Sequence, residues 1–302
     1  MQEVINSAVD VEALSAMDEA LLLGIDVLYV LLGIALLFVA KQLQDWLTPY
    51  SLDVELRDHD NPALGLALCG YFIAVISIFI GAALGDDFVA VPSLMELSQV
   101  LAEDLAYALA GILVLHIGRL VVDHLILHRF SVTKEIIEDR NVGTGAVEAG
   151  ALVATGLIVA GAINGTGGGP WTALMFFVVG QLALVIYARC YDWMTSYDLH
   201  VEIECDNVAA GTAFGASLVA FGVILLKASS GPFVDLVTNL GDFCLYAVLG
   251  FLVLLVLRKV ADALFLPGVS LDAEIADDRN LCAAWLEGTV AIGIAVMLFA
   301  LL

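Results

Sequence analysis

Apolar runs of about 20 residues, the length that crosses a bilayer, alternate along this chain with short acidic segments. The alternation predicts eight helices, at about 21–43, 64–84, 101–127, 143–163, 171–193, 208–228, 236–263 and 281–302. Four polar hinges, 46–60, 128–140, 194–206 and 267–279, join each odd run to the even run after it. The links 85–100, 164–170 and 229–235 lie at the opposite ends of the runs. An acidic segment, 1–20, precedes them and lacks the basic start of a cleaved signal peptide. The expected fold is an all-α integral membrane protein with eight transmembrane helices.

The hinges repeat one another. Aligned on Asn61, Asn141, Asn207 and Asn280, each has a Glu five or six residues upstream: Glu55, Glu135, Glu202 and Glu274. A small residue follows four positions downstream of each Asn (Gly65, Gly145, Gly211, Ala284) and another eight downstream (Cys69, Ala149, Gly215, Gly288). Hairpins two and four match most closely. A constant offset of 139 residues (141 to 280) relates Tyr107 to Tyr246, Arg119 to Arg258, Asp123 to Asp262 and Glu148 to Glu287. Hairpins one and three share Asp45-Trp46 and Asp192-Trp193. The chain therefore reads as a tandem duplication, 21–163 and 171–302, joined at the turn Asn164–Pro170. It makes two parallel four-helix repeats, or four pseudo-equivalent hairpins around one expected pseudo-fourfold centre. An even helix count keeps both copies in one orientation, related by an axis along the membrane normal.

Composition sharpens this picture. Of 302 residues, 61% are hydrophobic and 15% charged, more apolar than a soluble domain. Ten of the eleven Lys and Arg fall on the hinge side, and Lys227 alone on the other. By the positive-inside rule the hinges face the cytoplasm and both termini lie outside it. The net charge of −23 excludes a nucleic-acid partner. It leaves membrane lipid, small cations or polyamines, and a basic cytoplasmic protein as expected partners, with oligomeric state, a homo-oligomer included, left open. The five cysteines have no metal-finger spacing and are expected to be structural thiols.

The core EIIEDRNVGTGAVEAG and the duplication of its hairpins resemble the YjfL-like inner membrane proteins, or domain of unknown function 350. The resemblance covers the chain after residue 20 as two copies and implies a bacterial inner membrane location. It carries no settled activity, and its association with envelope-stress gene sets implies a stress-related role. The first hairpin departs from the pattern with Leu68, and the third with Phe214, where the others have Glu148 and Glu287.

The candidate chemistry lies in that duplication. Glu148 and Glu287 sit seven residues past their Asn, roughly 10 Å down a helix, beside the small-residue seam. Ionisable groups at such depth are costly and are functional candidates. Arg119 and Arg258 lie at similar depth and are their natural ion-pair partners. Each odd helix also carries a cation three or four residues before an Asp: Lys41/Asp45, Arg119/Asp123, Arg189/Asp192 and Arg258/Asp262. That spacing expects same-face pairs. The four Asn are expected to be helix N-caps, with a ligand role as the alternative. The hinge carboxylates Glu55, Glu135, Glu202 and Glu274 are candidates for attracting cations. No enzyme signature, cofactor motif or metal-ligand spacing is present, so no catalysis is expected. The functional expectation is a cation-handling transporter or channel; the alternative is a non-transporting envelope-stress scaffold that recruits a cytoplasmic partner.

Overall fold

The computed structural model describes residues 16–84, 91–165, 167–265 and 268–301. Eight long helices form: α1 (Ala16–Leu47), α3 (Pro62–Ala83), α4 (Leu94–Val121), α6 (Val142–Ile163), α7 (Pro170–Met194), α9 (Val208–Ser229), α10 (Leu236–Phe265) and α12 (Leu281–Leu301). All eight are long and apolar enough to span a membrane, so this is a multi-pass membrane protein. The α4 helix starts seven residues earlier than expected. Its Ser93 accepts from the Glu96 N–H while the Glu96 carboxylate accepts from the Ser93 N–H, a reciprocal cap that a reading by hydropathy passes over.

The hinges are not irregular. Each holds a short helix: α2 (Leu52–Arg57), α5 (Val132–Ile137), α8 (Leu199–Glu204) and α11 (Leu271–Ala276). Ser51, Ser131, Asp198 and Ser270 cap their starts with a side-chain oxygen. Each ends on a residue with positive φ directly before the hinge Asn: Asp60 (50°), Arg140 (52°), Asp206 (60°) and Arg279 (49°). These non-glycine residues accept the left-handed conformation because the turn delivers the Asn to the head of the next long helix.

The inner helices α3, α6, α9 and α12 run parallel in a row, each packed on the next. Glycines set the spacing. A Cβ on Gly145 would strike the Ala63 carbonyl, one on Gly150 the Gly215 carbonyl, and one on Gly211 the Gly143 carbonyl. Such backbone proximity is how helices associate in lipid, where packing replaces the hydrophobic effect. The row does not close, and this corrects the expected pseudo-fourfold centre. The ends α3 and α12 are not packed on each other as the neighbours are, and the middle helix α6 is buried along nearly its whole length while α12 is mostly exposed.

The outer helices cover the row. α4 lies against α3 and α6, α7 against α6 and α9, and α10 against α9 and α12, whereas α1 packs mainly on α3 among the inner helices. Related slots are filled from opposite sides: Tyr71 of α3 reaches across to the Ala40 carbonyl of α1, and Tyr187 of α7 reaches across to Ser217 of α9. All five cysteines are free thiols rather than disulfides, and four of them are exposed.

Candidate functional site

At the head of each inner helix the hinge Asn makes a junction, three-way in the first three hairpins. Its Oδ1 accepts a backbone N–H of the first turn: from Leu64 at Asn61, Thr144 at Asn141, Ala210 at Asn207, and Cys282 at Asn280. Its Nδ2 donates to the Glu of its own hinge, at 3.3 Å for Glu55, 3.0 Å for Glu135, 2.9 Å for Glu202 and 2.7 Å for Glu274. In the first three hairpins Nδ2 also donates to a carbonyl of the following hinge: Asn61 to Ile136 (2.8 Å), Asn141 to Ile203 (2.6 Å) and Asn207 to Ile275 (2.8 Å). The hinge glutamates are thus spread along the row, each held by its Asn, and are not gathered at one centre to attract a cation. Burial raises the pKa of Glu135 above the usual carboxylate range, while the bond from Asn141 pulls the other way.

Below these junctions lie the two duplicated ion pairs. Arg119 Nε stands 2.9 Å from Glu148 Oε1, both side chains being largely buried. Arg258 Nε stands 3.1 Å from Glu287 Oε1. Each pair closes within its own hairpin rather than across the halves. Around Arg119, the Tyr50 hydroxyl accepts from Nη2 at 3.3 Å, and burial raises the pKa of that hydroxyl against the lowering pull of Arg119. Asp123 lies near enough to act electrostatically on both Arg119 and Glu148. It sits in a π-helical turn, Val122–Ile126, of the kind that recurs at functional sites. Its Oδ1 and the Glu148 Oε2 are buried without a hydrogen-bond partner among the described residues.

The second cluster is built differently. Arg258 Nη2 binds Asp272 Oδ1 at 2.6 Å, and the guanidinium lies 4.6 Å over the Tyr191 ring. Tyr191 donates to Glu287 Oε1 at 3.2 Å. Beside Arg258 and Glu287 is a cavity of about 20 Å³ lined by Tyr187, Tyr191 and Ser217, enough for about one water. Asp262, the counterpart of Asp123, falls outside the described side chains.

The expected same-face cation–Asp pairs make no salt bridge among the described residues, although Asp123 stays within electrostatic reach of Arg119. Lys41 pairs with Asp53 at 2.7 Å, while Asp45 accepts from the Leu52 N–H. Arg119 turns to Glu148, Arg189 to His128, and Asp192 to His200 at 3.6 Å. A surface pair one turn apart gains little, and each group finds a better-placed partner on another element. Asp192, Asp198 and His200 bring ligand-type atoms within 4.8 Å of one another. Arg129 already holds both Asp198 oxygens, at 2.8 and 2.6 Å, which puts a cation where a metal would sit.

Tyr50, Tyr191 and Asp272 were missed by the sequence reading. Tyr50 and Tyr197 share the spacing of 147 residues that relates Asp45 to Asp192, a signal that was available. Asp272 has Thr133 as its counterpart, so the duplication conceals it.

No curated protein and no solved structure matches this chain. A family model described as Domain of Unknown Function (DUF350) matches residues 19–163 and again 166–302. Two consecutive matches over nearly the whole length, on a chain whose hairpins repeat in tandem, place it plainly: the protein is a tandem-duplicated member of the DUF350 family.

Proposed function

We propose that this membrane protein handles cations at its two buried arginine–carboxylate clusters, and that the proton is the ion they suit best. The observation that carries the reading is a charge count. Arg119 serves Glu148 and Asp123, and Arg258 serves Glu287 and Asp272. In the first cluster one guanidinium between two carboxylates leaves one negative charge when every group is ionised, whereas in the second Asp272 is part-exposed and its other oxygen accepts the Ser196 N–H at 2.9 Å. An uncompensated buried charge costs several kcal/mol, at least ~3, so a bound proton or small cation is favoured at the first cluster. The buried acceptor oxygens of Glu148 and Asp123 are where such a proton would reside. A cavity of about 20 Å³ beside Glu287 suits proton transfer through one water and is too small for a polyamine.

The charge bias of the hinges supports a cytoplasmic hinge face in an inner membrane, with the termini on the other side. The proposal assigns no catalysis. A scaffold role is the second reading. It is favoured by the backbone-to-backbone packing of the inner row and by the exposed hinge acids Glu138, Asp139, Glu204, Asp206, Asp277 and Asp278, which suit a basic partner. Proton flux into proteoliposomes under an imposed potential separates the two. The transport reading expects flux in the wild type and its loss in the variant carrying Glu148→Gln and Glu287→Gln. Equal flux in both, or none in a folded wild type, would sink it and leave the scaffold reading.

A further inference from the structure

The internal repeat leaves its connecting surfaces open at both ends of the row. Counted from its Asn, each inner helix presents one face to the next helix at positions 2, 9, 13 and 20. These are Ala63, Gly70, Ala74 and Gly81 on α3, and Gly143, Gly150, Ala154 and Gly161 on α6. On α12 the same positions are Cys282, Thr289, Gly293 and Ala300, again small, and all four are exposed. A Cβ on Gly293 meets nothing within 4 Å. The opposite face, at positions 4, 8, 15 and 19, meets the preceding helix; on α6 it is Gly145, Ala149, Gly156 and Ala160. On α3 those positions are Gly65, Cys69, Ile76 and Ile80, and none of them is buried.

The polar connector is open at the same two ends. Asn61, Asn141 and Asn207 each donate to a carbonyl of the following hinge, one residue past its Glu. Asn280 donates to Glu274 and to no hinge carbonyl among the described residues. The equivalent carbonyl at the front of the row is that of Leu56, one residue past Glu55. The outer layer is open there too. The α4, α7 and α10 helices each lie against the preceding inner helix as well as their own, but α1 has no comparable contact beyond α3 among the described inner helices. Between α1 and α3 is a groove of about 500 Å³ lined by Tyr29, Gly33, Ile76 and Ile80.

We propose that a second copy of this chain docks its α12 against α3 and under α1, continuing the row head to tail. In the register of the internal interfaces, Thr289 of one copy meets Cys69 of the other, Cys282 meets Gly65, and Gly293 meets Ile76. Asn280 Nδ2 donates to the Leu56 carbonyl of the other copy. Such a heterologous contact builds a closed ring if its rotation closes and an open strip if it does not. The occupant is a second copy because both halves of a repeated, directional interface lie on one chain. This inference does not depend on proton handling.

The test is site-directed disulfide formation in membranes. The full chain carries Thr289→Cys with native Cys69 retained and Cys190, Cys205, Cys244 and Cys282 replaced by Ser. Mild oxidation is expected to give a ladder of covalent multimers. The ladder is expected to be absent when Cys69 is also replaced, and absent when the new cysteine sits at Met297 instead of Thr289. Within one chain α3 and α12 are not packed together, so a disulfide between Cys69 and the cysteine introduced by Thr289→Cys can arise only between copies. Wild-type mass in lipid nanodiscs is the independent readout, with multimers expected. Gly293→Phe, placed where the single chain has open space, is expected to reduce the multimer at least tenfold while leaving the monomer folded. A ladder no stronger than that of the Met297 control, or a wild type that is monomeric in nanodiscs, overturns the proposal.

Discussion

Replacing Asn141 by Ala removes three bonds at once, and comparison with Asn280→Ala isolates one of them. Asn141 is fully buried and caps Thr144 at 2.9 Å, binds Glu135 at 3.0 Å and reaches the Ile203 carbonyl at 2.6 Å. Asn280 caps its own helix and binds Glu274 at 2.7 Å but reaches no following hinge. Loss of a cap costs about 1 kcal/mol, and this applies to both. Stranding the Ile203 carbonyl in a buried junction adds about 1–3 kcal/mol at Asn141 only. Asn141→Ala is therefore expected to destabilise by about 2 kcal/mol more than Asn280→Ala, a margin taken from that stranded carbonyl. Unfolding free energies from steric trapping, measured on the chain dissociated in mild detergent, give the comparison. Equal destabilisation within about 0.5 kcal/mol would refute the idea that the Asn ties one hairpin to the next, since a bond worth about 1 kcal/mol or more would then be missing.

Three further outcomes follow from the same geometry. Gly65→Ala is expected to be tolerated, its new Cβ standing 3.9 Å from Leu56, while the equivalent Gly145→Ala drives a Cβ into the Ala63 backbone and is expected to lower the melting temperature by several degrees, a thermal shift that corresponds to about 1–3 kcal/mol of overpacking. Arg119→Ala strands Glu148 and is expected to cost about 3–5 kcal/mol, whereas Arg119→Met with Glu148→Met is expected to cost much less, which a denaturant titration of both variants measures. The Arg129 guanidinium holds Asp198 below the usual carboxylate range. A carboxylate with a depressed pKa stabilises the fold above the ordinary aspartate range, and that contribution disappears as pH falls through the lowered value. Acid is therefore expected to loosen the contact between the second and third hinges, read as faster amide exchange in α8. Asp198→Asn keeps the cap and is expected to remove that acid dependence.

The apolar run lengths, the tandem duplication and the pairing of Arg119 with Glu148 and of Arg258 with Glu287 were all legible from the residues. Run length fixes a membrane helix, and a repeat at constant offset marks equivalent positions without any structure. The open row was not legible. A repeat says which residues correspond, not by what rotation one copy follows another. The rotation is set by the two small-residue faces of a middle helix such as α6, and the alignment of the hinges marks only that of Gly145 and Ala149, not that of Gly143, Gly150 and Ala154. The short hinge helices were hidden because six residues such as Leu271–Ala276 complete too few turns to show a period. Charge partners were misread where a near neighbour in sequence competed with one in space, as when Lys41 chose Asp53 over Asp45.

The central claim is that the first cluster holds one exchangeable proton between Glu148, Asp123 and Arg119. Infrared difference spectroscopy of the reconstituted protein tests it directly, in buffer whose only cation besides protons is a large quaternary ammonium. The account predicts a protonated carboxylic-acid band at neutral pH that titrates away in alkali and weakens in Glu148→Gln. Fully ionised carboxylates at neutral pH, with no such band in the wild type, would contradict it.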